Sequence, residues 1–135
     1  MLQNIIILIL MFYMHVIDDY ILQGVLAKMK QEQWWRSKLG VNFKKYRYDY
    51  IVALFWHSLS WSISISIPAI MYCFYRSNFT PSAVIIIAIL ANTIIHMIVD
   101  HMKANMLMIN LLADQIIHML QVIIYWILLI TVGGM

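Results

Sequence analysis

Four stretches of this 135-residue chain are apolar over long runs, each near the ~20 residues that a helix needs to cross a ~30 Å hydrocarbon core. They run from about Leu2 to Leu22, Tyr50 to Tyr75, Pro81 to Asp100 and Ile109 to Val132. All are rich in Ile, Leu, Met and Val. Inside lipid a single segment must satisfy its own backbone hydrogen bonds, so each reads as a helix despite its β-branched content. The dyad alternation of a membrane barrel is absent. Hydrophobic residues make up 64% of the chain and charged residues 11%. A water-soluble fold of that composition could not cover its surface, and a disordered chain has the opposite balance. The sequence therefore predicts a single all-α transmembrane domain over residues 1–135, a four-helix bundle in the bilayer.

The first segment reads as a span and not as a secretory signal. No Lys or Arg precedes its apolar run, and no small-residue cleavage site follows it. The single cysteine, Cys73, excludes an intrachain disulfide framework and a cysteine-based zinc finger.

Charge placement predicts an orientation. Between the first two spans, Gly24–Asp49 carries Lys28, Lys30, Arg36, Lys38, Lys44, Lys45 and Arg47, and the turn after the third span adds Lys103. Eight of the nine basic residues thus fall on one side, Arg76 being the exception. The positive-inside rule makes that side cytoplasmic and both termini non-cytoplasmic. The 24–49 stretch, with Trp34, Trp35, Phe43, Tyr46, Tyr48 and Tyr50, reads as a basic, partly helical amphipathic segment lying on the inner leaflet. It either binds anionic lipid headgroups or serves only to set topology. Its bases flank membrane spans, which argues against nucleic acid as a partner. Asn78-Phe79-Thr80 matches a glycosylation acceptor, but followed by Pro81 in so short a turn it carries little weight.

Ionisable residues inside the spans are costly, roughly 2.5–3.5 kcal/mol for an Asp at mid-membrane on insertion scales, and they usually face a bundle interior. Here their order is regular. The first span reads His15-x-x-x-Asp19 and the third His96-x-x-x-Asp100, while the fourth reads Asp114-x-x-x-His118. A spacing of four places both side chains on one helix face, about 6 Å apart along the axis. Successive spans run in opposite directions, so the reversed motif in the fourth is the same layer crossed the other way. His57 enters at a similar depth. The prediction is a ring of His15, His57, His96 and His118, with a ring of Asp19, Asp100 and Asp114 nearer the cytoplasm.

Neutral imidazole and carboxylate ligate Zn²⁺, and also Mn²⁺ or Fe²⁺. All seven residues are candidate ligands for a divalent ion, and Asp19, Asp100 and Asp114 are candidate catalytic bases. Three to five groups suffice for one ion, and seven are enough for two. The plainer account of any one of these residues is an internally hydrogen-bonded core group holding two helices together. Gln23 and Gln115 can orient the carboxylates, and Lys28, Lys30 and Lys103 on the rim can attract an anionic substrate. Asp18 and His101 sit beside motif residues on different faces, so both are expected to face headgroups or water. Trp56, Trp61 and Trp126 are expected in the aromatic belt or in packing. The serines Ser58, Ser60, Ser62, Ser64 and Ser66 read as small contacts between helices.

These motifs resemble the small bacterial and phage membrane proteins grouped as domain of unknown function 3307. The resemblance runs through His15-Val-Ile-Asp-Asp19-Tyr20-Ile-Leu-Gln23, a Lys-containing loop, His57, His96-Met-Ile-Val-Asp100-His101-Met-Lys103 and Asp114-Gln115-Ile-Ile-His118. Asp18 stands where that family tends to have Gly, and His101 where it has an aromatic residue. The resemblance implies a bacterial inner-membrane protein and brings no settled activity. A looser similarity is to membrane-bound metal-dependent hydrolases, by analogy of fold.

Three functions remain open at this stage. One is a metal-dependent hydrolase of a phosphate- or ester-bearing substrate at the cytoplasmic leaflet. Another is an ion- or proton-handling transport protein, which with four helices requires a homo-oligomer. The third is a non-enzymatic membrane partner protein.

Overall fold

The computed structural model describes residues 2–75 and 83–133. The short turn with Arg76 and the Asn78-Phe79-Thr80 pattern, and the first two residues of the third predicted span, lie outside the described residues. Among the described residues there is no strand. Helix α1 (Leu2–Ile17) passes directly into a π-helical turn, Asp18–Leu22. Short helices α2 (Leu26–Met29), α3 (Glu32–Leu39) and α4 (Phe43–Tyr46) follow, then the long helices α5 (Asp49–Tyr75), α6 (Ala83–Ala104) and α7 (Leu111–Gly133). Four helical stretches are long and apolar enough to cross a membrane: 2–22, 49–75, 85–104 and 111–131. The third extends one turn past the predicted end at Asp100, carrying His101 and Lys103 on the same rod.

The four long helices close a bundle in which α1 packs on α5 and α7, and α6 packs on α5 and α7. Burial follows the helical period. In α1 it falls on Ile7, Met11 and His15, then Asp18. The rest of the same helix is exposed and still apolar, with Ile5, Ile6, Ile9, Leu10 and Tyr13 facing outward. A helix apolar on both its buried and its exposed faces belongs in lipid.

Lipid removes most of the hydrophobic drive between helices, so packing and interhelical hydrogen bonds hold such a bundle. One end is filled by Ile7, Met11, Trp61, Ile65, Ala69, Ile85, Ala88, Val122, Tyr125 and Leu129. Small residues let the backbones approach there, and Ser66 shares a 2.8 Å hydrogen bond with the Tyr125 hydroxyl. Midway, Gln121 donates to the backbone oxygen of Asn92 at 2.9 Å and to its Oδ1 at 3.0 Å, tying α7 to α6.

The predicted amphipathic stretch carries three short α-helices and a 3₁₀ turn at Gly40–Asn42. Gly24 ends the π turn at φ +51°, a left-handed conformation that costs a side-chain-bearing residue roughly 1–2 kcal/mol. The chain then folds back across the bundle end. Asn105, just past α6, accepts from the Glu32 backbone N–H at 2.7 Å and donates to the Lys30 carbonyl at 3.0 Å. Trp35 donates its indole N–H to the Met29 carbonyl at 2.7 Å. These bonds press α2 and α3 against the ends of the spans.

Candidate metal centre

Below the apolar plug, the imidazoles and carboxylates of all four long helices meet. His15, His57, His96 and His118 are each at most 1% exposed, as are Asp18, Asp100 and Asp114. Asp19 is slightly more open, its side chain 6% accessible. Spacing alone brings each intrahelical pair together: His96 Nε2 lies 3.7 Å from Asp100 Oδ2, and His118 Nε2 lies 3.3 Å from Asp114 Oδ1. Packing then joins the helices. His57 Nε2 is 3.4 Å from Asp19 Oδ1, 3.2 Å from Asp100 Oδ2 and 3.2 Å from His96 Nε2. His118 Nε2 is 3.5 Å from Asp100 Oδ1.

Two overlapping sets have ligand atoms that all lie within 4.8 Å of one another: Asp19, His57 and His96, and His96, Asp100 and His118. Both could hold a metal ion. Ligands at 2.0–2.1 Å around a tetrahedral zinc are spaced by about 3.4 Å. The His57 contacts to Asp19 and His96 fall at that spacing. Both sets need His96, and a ring nitrogen has one lone pair to give.

Charge points the same way. The carboxylates of Asp18, Asp19, Asp100 and Asp114 face two ammonium groups. Lys30 donates to Asp100 Oδ2 at 2.6 Å, and Lys103 to Asp114 Oδ2 at 2.7 Å. With neutral imidazoles two negative charges are left over, which one divalent cation or two imidazolium rings would balance. The cluster also contains buried polar atoms with no hydrogen bond, among them His118 Nε2, Asp114 Oδ1 and His96 Nδ1. Such atoms are costly unless something else takes their lone pairs. His118 Nε2 and Asp114 Oδ1 are 3.3 Å apart, within ion-pair distance but outside hydrogen-bond geometry.

Of the predicted site residues, His57, His96, His118, Asp19 and Asp100 form the two sets, and Asp114 borders the second. His15 is in the same cluster, but both its nitrogens are engaged. Nδ1 is 2.7 Å from the Trp61 indole nitrogen, and Nε2 is 3.3 Å from Gln115 Oε1. Gln23 and Gln115 do hold carboxylates: Gln23 donates to Asp19 Oδ1 at 2.9 Å, and Gln115 to Asp19 Oδ2 at 3.2 Å and Asp114 Oδ2 at 3.1 Å. Lys28 is exposed on α2.

Two placements differ from expectation, those of Asp18 and Lys30, and Trp61 takes the packing role expected of it. Asp18 was expected to face headgroups or water and is instead 1% exposed. It accepts from Ser60 at 2.8 Å and Ser64 at 3.0 Å, and Oδ2 lies 4.0 Å from His57 Nδ1. Asp18 and Asp19 thus flank opposite edges of one imidazole, in a π turn. Such turns are frequent at functional sites. Ser60 and Ser64 are therefore ligands of a buried carboxylate as well as packing contacts. Lys30 was expected on the rim and is 8% exposed, because the loop folds back and carries it inward. Trp61 belongs to the centre: it is fully buried and stacks on His96 with ring centres 4.1 Å apart, as His96 does on His118. His101 is half-buried and stacks on Tyr50, outside the cluster. Two of these had a signal in the sequence. Asp18 is three residues from His15, and Trp61 four from His57, both helical-face spacings. The depth of Lys30 had none.

A cavity of about 400 Å³ reaches the cluster from the loop side. Asp19, Gln23, Lys30, Lys103 and Gln115 line its polar wall, and Tyr20, Leu107 and Leu111 its apolar wall. Lys28 is not part of the lining. No family model, curated protein or solved structure matches this chain.

Proposed function

We propose that this chain is an integral membrane protein of the bacterial inner membrane, with residues 24–49 and the turn after α6 in the cytoplasm. Near that face Asp19, His57 and His96, with Asp100 of the overlapping set beside them, would hold one divalent cation, zinc before manganese or iron, and serve hydrolysis of a phosphate- or ester-bearing substrate. One observation carries the reading: His57 Nε2 meets Asp19 Oδ1 and His96 Nε2 at 3.4 and 3.2 Å, deep in a bundle whose buried acids outnumber its buried lysines. Mixed imidazole and carboxylate donors suit zinc. When bound, such an ion polarises a substrate oxygen and lowers the pKa of a bound water towards ~7.

The protein groups supply the rest. Asp19 borders both the metal set and the cavity, and is held by Gln23 and Gln115. Asp19 would therefore be the first of the ligands to meet an incoming water. Lys30 and Lys103 face the same cavity and would steady an anionic oxygen. Arg36, Lys38, Lys44, Lys45 and Arg47 are exposed on the loop and suit anionic headgroups of the inner leaflet. Transport is disfavoured by the apolar plug from Ile7 to Leu129, which fills the other end of the bundle. The resemblance to domain of unknown function 3307 rests on the same His and Asp residues.

Metal analysis of detergent-purified protein tests the reading. Wild type is expected to retain about one zinc per chain, and His96→Ala and Asp100→Asn to retain little. Equal metal in all three removes the metal reading. Hydrolysis of p-nitrophenyl phosphate and p-nitrophenyl acetate, lost on chelation and restored by zinc, would support the enzyme. Metal bound tightly with neither ester cleaved would leave a metal site without this activity.

A further inference from the structure

We infer that His15 is a positioning residue and not a ligand. Together with Trp61 it sets the direction of the hydrogen bonds that aim two carboxylates at the centre. This rests on the metal reading above and adds to it how the ligands are held.

The polarity of the chain of contacts is forced from both ends. At the apolar end the Trp61 indole nitrogen lies 2.7 Å from His15 Nδ1. An indole N–H can only donate, so Nδ1 accepts. A neutral imidazole that accepts on one nitrogen carries its proton on the other. Nε2 is therefore the donor to Gln115 Oε1, 3.3 Å away. At the acidic end the other terminal atom of Gln115 is 3.2 Å from Asp19 Oδ2 and 3.1 Å from Asp114 Oδ2. Carboxylates only accept, so that atom is the amide NH₂, and the amide oxygen must face His15. The donors fixed from the Trp61 indole are therefore the same as those fixed from the two carboxylates.

The consequence is geometric. One amide group grips Oδ2 of Asp19 and Oδ2 of Asp114 at once. Their other oxygens are left facing imidazoles, Asp19 Oδ1 toward His57 at 3.4 Å and Asp114 Oδ1 toward His118 at 3.3 Å. Lys103 reinforces the grip on Asp114 Oδ2, while Gln23 donates to Asp19 Oδ1 at 2.9 Å and shares that oxygen with His57. A reversed Gln115 amide would point its oxygen at two carboxylates. His15 prevents that reversal only while Trp61 holds its tautomer. Trp61, His15 and Asp114 are fully buried, so at the Trp61 end of the chain of contacts water does not offer a substitute partner.

The test is ¹⁵N-histidine NMR of the full chain in detergent, titrated with Zn²⁺, with His15 assigned from the His15→Gln spectrum. His15 is expected as the Nε2–H tautomer before zinc and unchanged after it, while His57 and His96 change. An Nδ1–H tautomer, or a His15 ring nitrogen that shifts as a zinc ligand, overturns the inference. If zinc shifts no histidine, the metal reading fails, and the tautomer in the zinc-free spectrum still decides this one. Zinc affinity gives the second readout. Trp61→Phe keeps a stacking ring but no donor, and should weaken binding about 10–100-fold, the usual effect of losing an outer hydrogen-bond partner. His15→Gln offers both an acceptor for Trp61 and a donor for Gln115, and should bind zinc within a few-fold of wild type, whereas His15→Ala should not. Equal loss in His15→Gln and His15→Ala would make His15 a ligand and sink the proposal.

Discussion

The Lys30–Asp100 contact shows how one side chain can be both stabilising and competing. Its ammonium lies 2.6 Å from the same carboxylate oxygen that faces His57 Nε2 at 3.2 Å. Both partners are buried, with side-chain accessibilities of 10% and 2%. Removing one member of a buried ion pair leaves the other uncompensated, at a cost of roughly 3–5 kcal/mol. Lys30→Met is therefore expected to lower metal-free stability by that order, measured by thermal unfolding in detergent. A divalent cation in excess should restore much of it, since the cation supplies the missing charge and binds only the folded state. A variant that zinc stabilises no more than wild type would separate Lys30 from the centre. At the same scale, the sequence made His15, His96 and His118 legible because four-residue spacing is a local property of one helix, and His57 by its depth in the second span. It misassigned Asp18 because an α-helical wheel puts neighbours 100° apart, while the chain there widens into a π turn.

Among the elements, the loop pieces α2 and α3 have no extensive core of their own. Helix α3 buries none of its residues. Two side chains dock this segment on the spans: Lys30, which pairs with Asp100, and Asn105, which bonds the backbone on either side of Gln31. Asn105→Ala should free the segment 26–39 without disturbing the four long helices. Hydrogen exchange of that segment should rise by at least tenfold, that of α5 and α6 should stay level, and Lys30 should become reactive to amine reagents. Unchanged exchange would show that packing alone holds the loop. The existence of helix in 24–49 was legible from its amphipathic aromatics and bases. Its return across the bundle was not, because a hydrogen bond from residue 105 to residues 30 and 32 leaves no trace in local pattern.

For the whole molecule, the basic loop and the paired acids should share one side of the bilayer. A Cys73→Ser background carrying Ser37→Cys, exposed on α3, reports that side. A membrane-impermeant maleimide is expected to label it only after the cells are opened. Labelling in intact cells would invert the topology and move the centre to the outer face. The two halves of the bundle then divide the work. One is a dry plug of Trp61, Ile65, Val122, Tyr125 and their neighbours, and the other a charged chamber with its mouth at Asp19 and Lys103.

The sequence by itself determined that four helices form and that each brings one imidazole to a common depth, since lipid enforces backbone hydrogen bonding and the 3.6-residue period does the rest. Only the tertiary structure decided which nitrogens remain free for an ion. His15 is taken by Trp61 and Gln115 and Asp18 by two serines, while a lysine from the loop holds only one oxygen of Asp100. Those partners lie 42–100 residues away along the chain, and at such separations it is packing between elements that chooses the neighbour.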